Sequence, residues 1–150
     1  RHPDIEELLL EKRRRGGVKI VPANRAGLRV LYRTIKAGET VAILPDQEPT
    51  QGEGEFAPFF GIETLTGVLL TRIAQRTGAA VVFVVCIRGK KGRYCLHYLK
   101  ADDAISSRDT RVALTALNEG IERTIEVDSG QYLWAYKRFR NRPEGEKSFY

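Results

Sequence analysis

The run Val81–Ile87, VVFVVCI, is the strongest strand signal in the chain and the feature that most restricts its fold. The turn Gly89-Lys90-Lys91-Gly92 follows it. Tyr94, Leu96 and Tyr98 then alternate with Arg93, Cys95 and His97, so the chain returns as an antiparallel hairpin. If that turn is symmetric, Cys86 and Cys95 face each other across it. Two cysteines are too few for a disulfide framework, and both are expected to be reduced, packed thiols.

Elements of alternating type precede this hairpin. Asp4, with Glu7 and Leu8–Leu10 behind it, reads as a capped helix stopped by Gly16-Gly17. Val18–Val21 reads as a short buried strand ended by Pro22. Leu28, Leu31, Tyr32 and Ile35 recur at helical spacing before Gly38, and Val41–Leu44 forms the next buried strand. Leu65, Leu69 and Ile73 mark a helix ending near Gly78. Leu114, Leu117, Ile121 and Ile125 mark a later amphipathic one. This order predicts one α/β unit: a mostly parallel central sheet with helices on both faces and one antiparallel hairpin added.

Composition narrows the function classes. At 150 residues, 42% hydrophobic and 29% charged, the chain is ordinary globular material, and disorder is excluded. No apolar run approaches the roughly 18 residues that span a bilayer, and the first residues form no signal peptide. A net charge of +6 points to an anionic partner, with nucleic acid, lipid head groups and acidic carrier proteins all open. The sequence begins at Arg1 and contains no methionine, so it is expected to be part of a longer chain.

In α/β sheets, ligands collect at the carboxyl ends of strands. The expected strand Val41–Leu44 ends in Pro45-Asp46-Gln47, and a long glycine- and glutamate-rich loop follows. Asp46 is either a Pro-Asp turn bonded to nearby backbone or a site carboxylate. Gly52-Glu53-Gly54 lacks the Lys-Ser/Thr of a phosphate-cradling loop. Phe59-Phe60-Gly61 either plugs the core or lines an apolar groove. His97 reads as structural. His2 and Glu7 have His-x4-Glu spacing, but no strand precedes them, and the match reads as coincidence. No Cys/His cluster has metal-ligand spacing, no Gly-x-Ser-x-Gly elbow occurs, and neither metal nor cofactor is expected. In the tail, Lys137, Arg138, Arg140 and Arg142 alternate with Tyr132, Trp134, Tyr136 and Phe139. That pattern suits a solvated helix face, a lipid–water interface or a nucleic acid.

Three ordered blocks, GETVAILPDQ, GEGEFAPFFG and QYLWAYKRFRNRPEGEKSFY, together resemble the bacterial lipid A biosynthesis (lauroyl and myristoyl) acyltransferases, within the lysophospholipid acyltransferase-like superfamily. The resemblance implies a partial acyltransferase domain, 1–150 being its carboxyl-terminal portion. The membrane anchor and the catalytic His-x4-acid motif are expected upstream, so these residues alone are expected to be inactive. It further implies transfer of a fatty acyl group from acyl carrier protein to a hydroxyl of an anionic lipid A precursor. That reaction is expected at the cytoplasmic face of the bacterial inner membrane, on the membrane surface and without nucleic acid. By position, Asp46 resembles the acid of the superfamily's Pro-Glu-Gly-Thr-Arg block, which lines the acceptor site, and Gln47 follows it. Phe59, Phe60 and Gly61 fit Pro-Phe-Phe-Gly, Thr66 fits the threonine that opens the next helix, and Arg29 fits a Leu-Arg position. Tyr132, Trp134, Lys137, Arg138 and Arg142 match the tail block. Ala80 and Phe83 depart from the family's prolines in the Val81–Ile87 region. A relative acylating another glycolipid, such as a phosphatidylinositol mannoside, and a non-catalytic α/β anion-binding module are the alternatives.

Overall fold

The computed structural model describes residues 17–50 and 52–150, which fall into two compact units, Arg1–Val41 and Ala42–Tyr150. The expected helix at Asp4 and the His2–Glu7 pair lie outside the described residues.

In the amino-terminal unit, helix α1 spans Arg25–Lys36. Asn24 caps it, its side chain accepting from the Gly27 amide at 3.0 Å, and Arg33 and Lys36 sit in the last turn, where the helix dipole favours cations. The helix closes at Ala37 and Gly38, the latter at φ +76°. Gly27 is fixed by space, since a Cβ there would lie 1.9 Å from the Pro22 carbonyl oxygen.

The carboxyl-terminal unit contains hairpin β1 (Gly54–Phe59) and β2 (Ile62–Gly67), helix α2 (Leu69–Thr77), hairpin β3 (Val82–Arg88) and β4 (Tyr94–Lys100), and helix α3 (Thr110–Glu126). Each hairpin is a separate two-stranded antiparallel sheet. The expected parallel central sheet is therefore corrected: among the described residues no parallel pair occurs. An apolar run has no strand without a ladder partner, and neither Val18–Val21 nor Val41–Leu44 has one. Val18 is 58% exposed and Leu44 71%, so these runs are not buried strands.

The loop after Asp46 supplies a sheet instead. Gly54 to Gly67 fold as β1–β2, joined by the two-residue turn Phe60-Gly61. Both turn residues have positive φ, +48° and +73°, as the twist of a tight hairpin requires. Leu65 belongs to β2 rather than to the following helix. Thr66 also lies in β2, three residues before α2, and does not open that helix.

Helix α3 organises the core. Asp109 caps it, and Leu114, Leu117, Ile121 and Ile125 are buried as the helical spacing predicts. The helix packs on both hairpins and α2. Phe59, Ala57 and Phe83 meet its apolar face. Gly120 permits the close approach of β3, because a Cβ there would lie 2.1 Å from Phe83 Cε2.

At the second hairpin, the Gly89 amide donates to the Arg93 carbonyl at 2.8 Å, and Lys91 and Gly92 turn at φ +56° and +70°. The resulting register pairs Cys86 with Leu96 and Cys95 with Ile87. Neighbouring positions in a strand point to opposite faces, so the cysteines lie on opposite faces rather than facing each other. Both are free and exposed, so the expected packing of the thiols is also corrected.

Candidate functional site

The carboxyl-terminal tail is not the helix its spacing permits. A 3₁₀ turn at Ser129–Gln131 is followed by irregular turns that run back over β1–β2. Gln131 fastens its start, accepting from the Arg88 amide at 2.9 Å and donating to the Arg88 carbonyl at 3.1 Å. Further on, Arg138 donates to the Leu65 carbonyl at 2.6 Å and to the Thr66 hydroxyl at 3.1 Å, and Arg142 donates to the Glu63 carbonyl. Phe139 stacks at a tilt on Phe59, their centroids 5.8 Å apart.

Beneath the tail lies a buried polar knot. The Thr66 hydroxyl accepts from Arg138 and from the Asn118 amide at 3.0 Å, and donates to the Thr64 carbonyl at 3.0 Å. The same Asn118 amide donates to the Pro58 carbonyl at 2.8 Å, joining α3 to β1. Thr64, Thr66 and Asn118 are fully buried and Arg138 is only 2% exposed. Such groups are tolerated in a core because they are bonded to one another. The Arg138 guanidinium also lies 5.3 Å over the Phe59 ring. Its Nε remains buried without a partner among the described residues.

Pro45–Pro49 runs along this tail. The Glu48 amide donates to the Tyr136 hydroxyl at 2.8 Å, and the Glu48 carboxylate accepts from the Asn141 amide at 2.9 Å and from the Asn141 side chain at 3.1 Å. Asp46 and Gln47 form the bend just before Glu48. Burial pushes the Tyr132 phenol up, and the Asp46 carboxylate raises it further. Burial lowers the Arg138 guanidinium, against the stabilising field of Tyr132, Glu48, Tyr136 and Asp46. Arginine starts so high that Arg138 stays cationic. Segments some 90 residues apart thus share one electrostatic site, with Asp46 half-buried and Gln47 exposed.

The expected site residues separate accordingly. Asp46, Thr66 and Arg138 belong to this cluster, Thr66 and Arg138 as its buried support, and Gln47 is the exposed residue beside Asp46 in the bend. Phe59 is 1% exposed and is a core residue. Phe60 is 40% exposed at the hairpin tip, its ring 6.2 Å from that of Trp134, itself 55% exposed. Phe60 is not glycine, yet holds a left-handed backbone, and the Glu122 carboxylate fixes it by accepting from its amide at 2.7 Å. Gly61 completes that turn. Lys137 is exposed, 5.2 Å over the Tyr150 ring. Arg29 lies on the exposed side of α1 in the other unit. Sequence reasoning missed Glu48, Tyr136, Asn118 and Asn141. Tyr136 and Asn141 lie within the quoted tail block and Glu48 directly follows the first block, but Asn118 is a lone polar residue in an apolar helix, and nothing in the spacing pairs the four.

A carboxylate on a fixed bend can accept hydrogen bonds from a hydroxyl-bearing ligand, and the exposed aromatics beside it offer apolar contact. A histidine–acid pair is not found among the described residues. His97 sits half-buried in β4, without a side-chain bond to an acid. No described group of three His, Cys, Asp or Glu side chains is arranged to hold a metal, and no described helix is long and apolar enough to cross a membrane.

The chain is 34% identical over 129 residues to the lipid A biosynthesis palmitoleoyltransferase of Escherichia coli (strain K12), an alignment covering 84% of this chain and 42% of that protein. It is 30% identical over 131 residues to the lipid A biosynthesis lauroyltransferase of the same strain, covering 85% and 42%. A lipid A biosynthesis acyltransferase of Haemophilus influenzae (strain ATCC 51907 / DSM 11121 / KW20 / Rd) is 27% identical over 147 residues, covering 97% and 45%. The chain therefore spans less than half the length of these relatives. Residues 1–141 match the family described as bacterial lipid A biosynthesis acyltransferase, and the chain belongs to that family.

Proposed function

We propose that the protein is an acyltransferase that moves a fatty acyl group from acyl carrier protein to a hydroxyl of a lipid A precursor or similar glycolipid, at the cytoplasmic face of the inner membrane. Family membership supports the reaction class. The observation that carries the site assignment is the Asp46–Gln47 bend, held against Tyr136 and Asn141 in the tail through Glu48. In this reading Asp46 and Gln47 form one wall of the acceptor site, and a histidine–acid pair outside the described residues removes the proton from the attacking hydroxyl. Phe60 and Trp134 contact the acyl chain. Thr66, Phe59 and Arg138 hold the wall in place from below, and Gly61 shapes the turn that presents Phe60. Lys137 and Arg29 favour the acidic carrier protein and the phosphate-bearing acceptor.

The test is transfer of a labelled acyl group from acyl carrier protein to a Kdo-bearing lipid A precursor, with a phosphatidylinositol mannoside as the competing acceptor. Transfer to the lipid A precursor with carrier protein as donor is expected. In the full-length protein, transfer to neither acceptor contradicts the reading, and transfer only to the mannoside moves the acceptor from a lipid A precursor to another glycolipid. Lys137→Glu is expected to raise KM for the carrier protein several-fold at low salt, with the difference fading at high salt. An effect indifferent to salt assigns Lys137 to packing instead.

A further inference from the structure

The Asp46–Gln47 bend makes no backbone hydrogen bond of its own among the described residues, yet it is held immediately downstream. Glu48 binds the tail three times: its amide to Tyr136, and both carboxylate oxygens to Asn141 in a bidentate grip on one backbone and one side-chain donor. Pro49 is wedged against the open end of the first hairpin. A Cβ on Gly54 would lie 2.5 Å from Pro49 Cγ, and one on Gly67 would lie 3.6 Å from Pro49 Cβ. Gly54 thus leaves room for the proline, Gly67 lies within ordinary contact distance of it, and the proline restricts the chain just beyond Glu48. A carboxylate held bidentately by a peptide N–H and an amide has little rotational freedom, so its backbone is fixed as well. The anchoring tail residues lie on either side of Arg138, which is tied to Leu65 and Thr66 in β2. The path from the bend to the hairpin therefore consists of bonded contacts throughout.

We propose that Glu48 is a positioning residue: clamped by Tyr136 and Asn141, it fixes the Asp46–Gln47 bend in the geometry that acyl transfer needs. This inference rests on Asp46 being part of the acceptor site. Glu48 touches no acceptor in this account and acts through Asp46. Tyr136 and Asn141 are the matching half of the clamp. Misplacing a site carboxylate by about 1 Å is enough to cost on the order of 100-fold in turnover.

The experiment is a double-mutant cycle in the active protein, read as kcat/KM for acyl transfer from carrier protein to the lipid A precursor, with a thermal melt of each variant. Glu48→Ala is expected to lower kcat/KM roughly 10- to 100-fold. Glu48→Gln can still accept from the Asn141 amide, so it should retain most activity. Tyr136→Phe and Asn141→Ala, milder substitutions, should each fall between these. In an Asp46→Ala background, Glu48→Ala should add less than about a twofold further loss, because the group it positions is gone. If Asp46→Ala is severely impaired while Glu48→Ala is unaffected, the clamp is overturned and the acceptor-site reading stands. Fully multiplicative losses also overturn the clamp, because Glu48 then acts independently of Asp46. If Asp46→Ala retains full activity, the acceptor-site reading itself is overturned, and the clamp with it. Should Glu48→Ala not fold, the same cycle run with Tyr136→Phe decides the matter.

Discussion

Replacing Thr66 by valine tests the polar knot under the tail with almost no change of shape. The two side chains have nearly the same volume, so no cavity forms and the apolar contacts remain. What disappears is a hydroxyl accepting from Arg138 at 3.1 Å and from Asn118 at 3.0 Å, and donating to Thr64 at 3.0 Å. Arg138 is 2% exposed and Asn118 fully buried, so water cannot easily replace the lost acceptor. Each buried donor left without a partner costs about 1–3 kcal/mol, and more when charged. Two such donors give a loss of roughly 2–6 kcal/mol, a large share of the 5–15 kcal/mol typical of a domain. Thr66→Ser keeps the hydroxyl and removes one methyl, for a loss of only about 1 kcal/mol. Urea unfolding followed by the fluorescence of Trp134, the one tryptophan, measures both. Adding Arg138→Met to Thr66→Val should recover part of the loss, because it removes the stranded charge. If Thr66→Val were no more destabilising than Thr66→Ser, the knot would not be what holds the tail to β2.

Other perturbations probe separate parts of the molecule. Phe60→Asn places a residue that tolerates the left-handed turn at φ +48°, so stability should hold or rise while acyl transfer falls, checked by melting temperature and turnover together. Gly120→Ala drives a methyl into Phe83 at 2.1 Å; it should destabilise by about 1–3 kcal/mol, with the earliest loss of hydrogen-exchange protection in β3 and β4. The Tyr132 phenol is raised in the folded state, so its contribution is fully present below the unfolded value near 10 and is lost as pH climbs through the folded value. Tyr132→Phe should therefore lose less stability than the parent between neutral pH and the alkaline range above 10, measured by denaturant titration at each pH.

The helices were legible because their signals are local. Leu28 to Ile35 repeat at helical spacing along α1 and Gly38 stops it, and Leu114 to Ile125 repeat along α3. The second hairpin was legible from its turn, although only the structure shows that Lys91 and Gly92 shift the register and separate Cys86 from Cys95. The first hairpin was hidden. Its buried positions in β2 are Thr64 and Thr66, not aliphatic residues, and β1 contains Pro58, which argues against a strand. Hydrophobic periodicity cannot find a strand whose inward side chains are hydroxyls bonded to an asparagine and an arginine. The parallel sheet failed for the converse reason: Val18–Val21 and Val41–Leu44 have strand composition but no ladder partner, and pairing is a long-range property. Asp46 was singled out by its place after an apolar run. The partners that define its surroundings, Tyr136 and Asn141 acting through Glu48, lie about 90 residues away, where spacing carries no information.

The central claim is that the Asp46 carboxylate takes part in the acceptor site, and Asp46→Asn tests it most directly. The substitution preserves size and turn preference and removes the charge, so melting temperature should change little. The decisive quantity is kcat/KM for transfer from acyl carrier protein to the lipid A precursor. A loss of roughly 100-fold or more in a folded variant is the expected result. Wild-type kcat/KM in that variant would return Asp46 to the role of an ordinary turn residue and contradict the account.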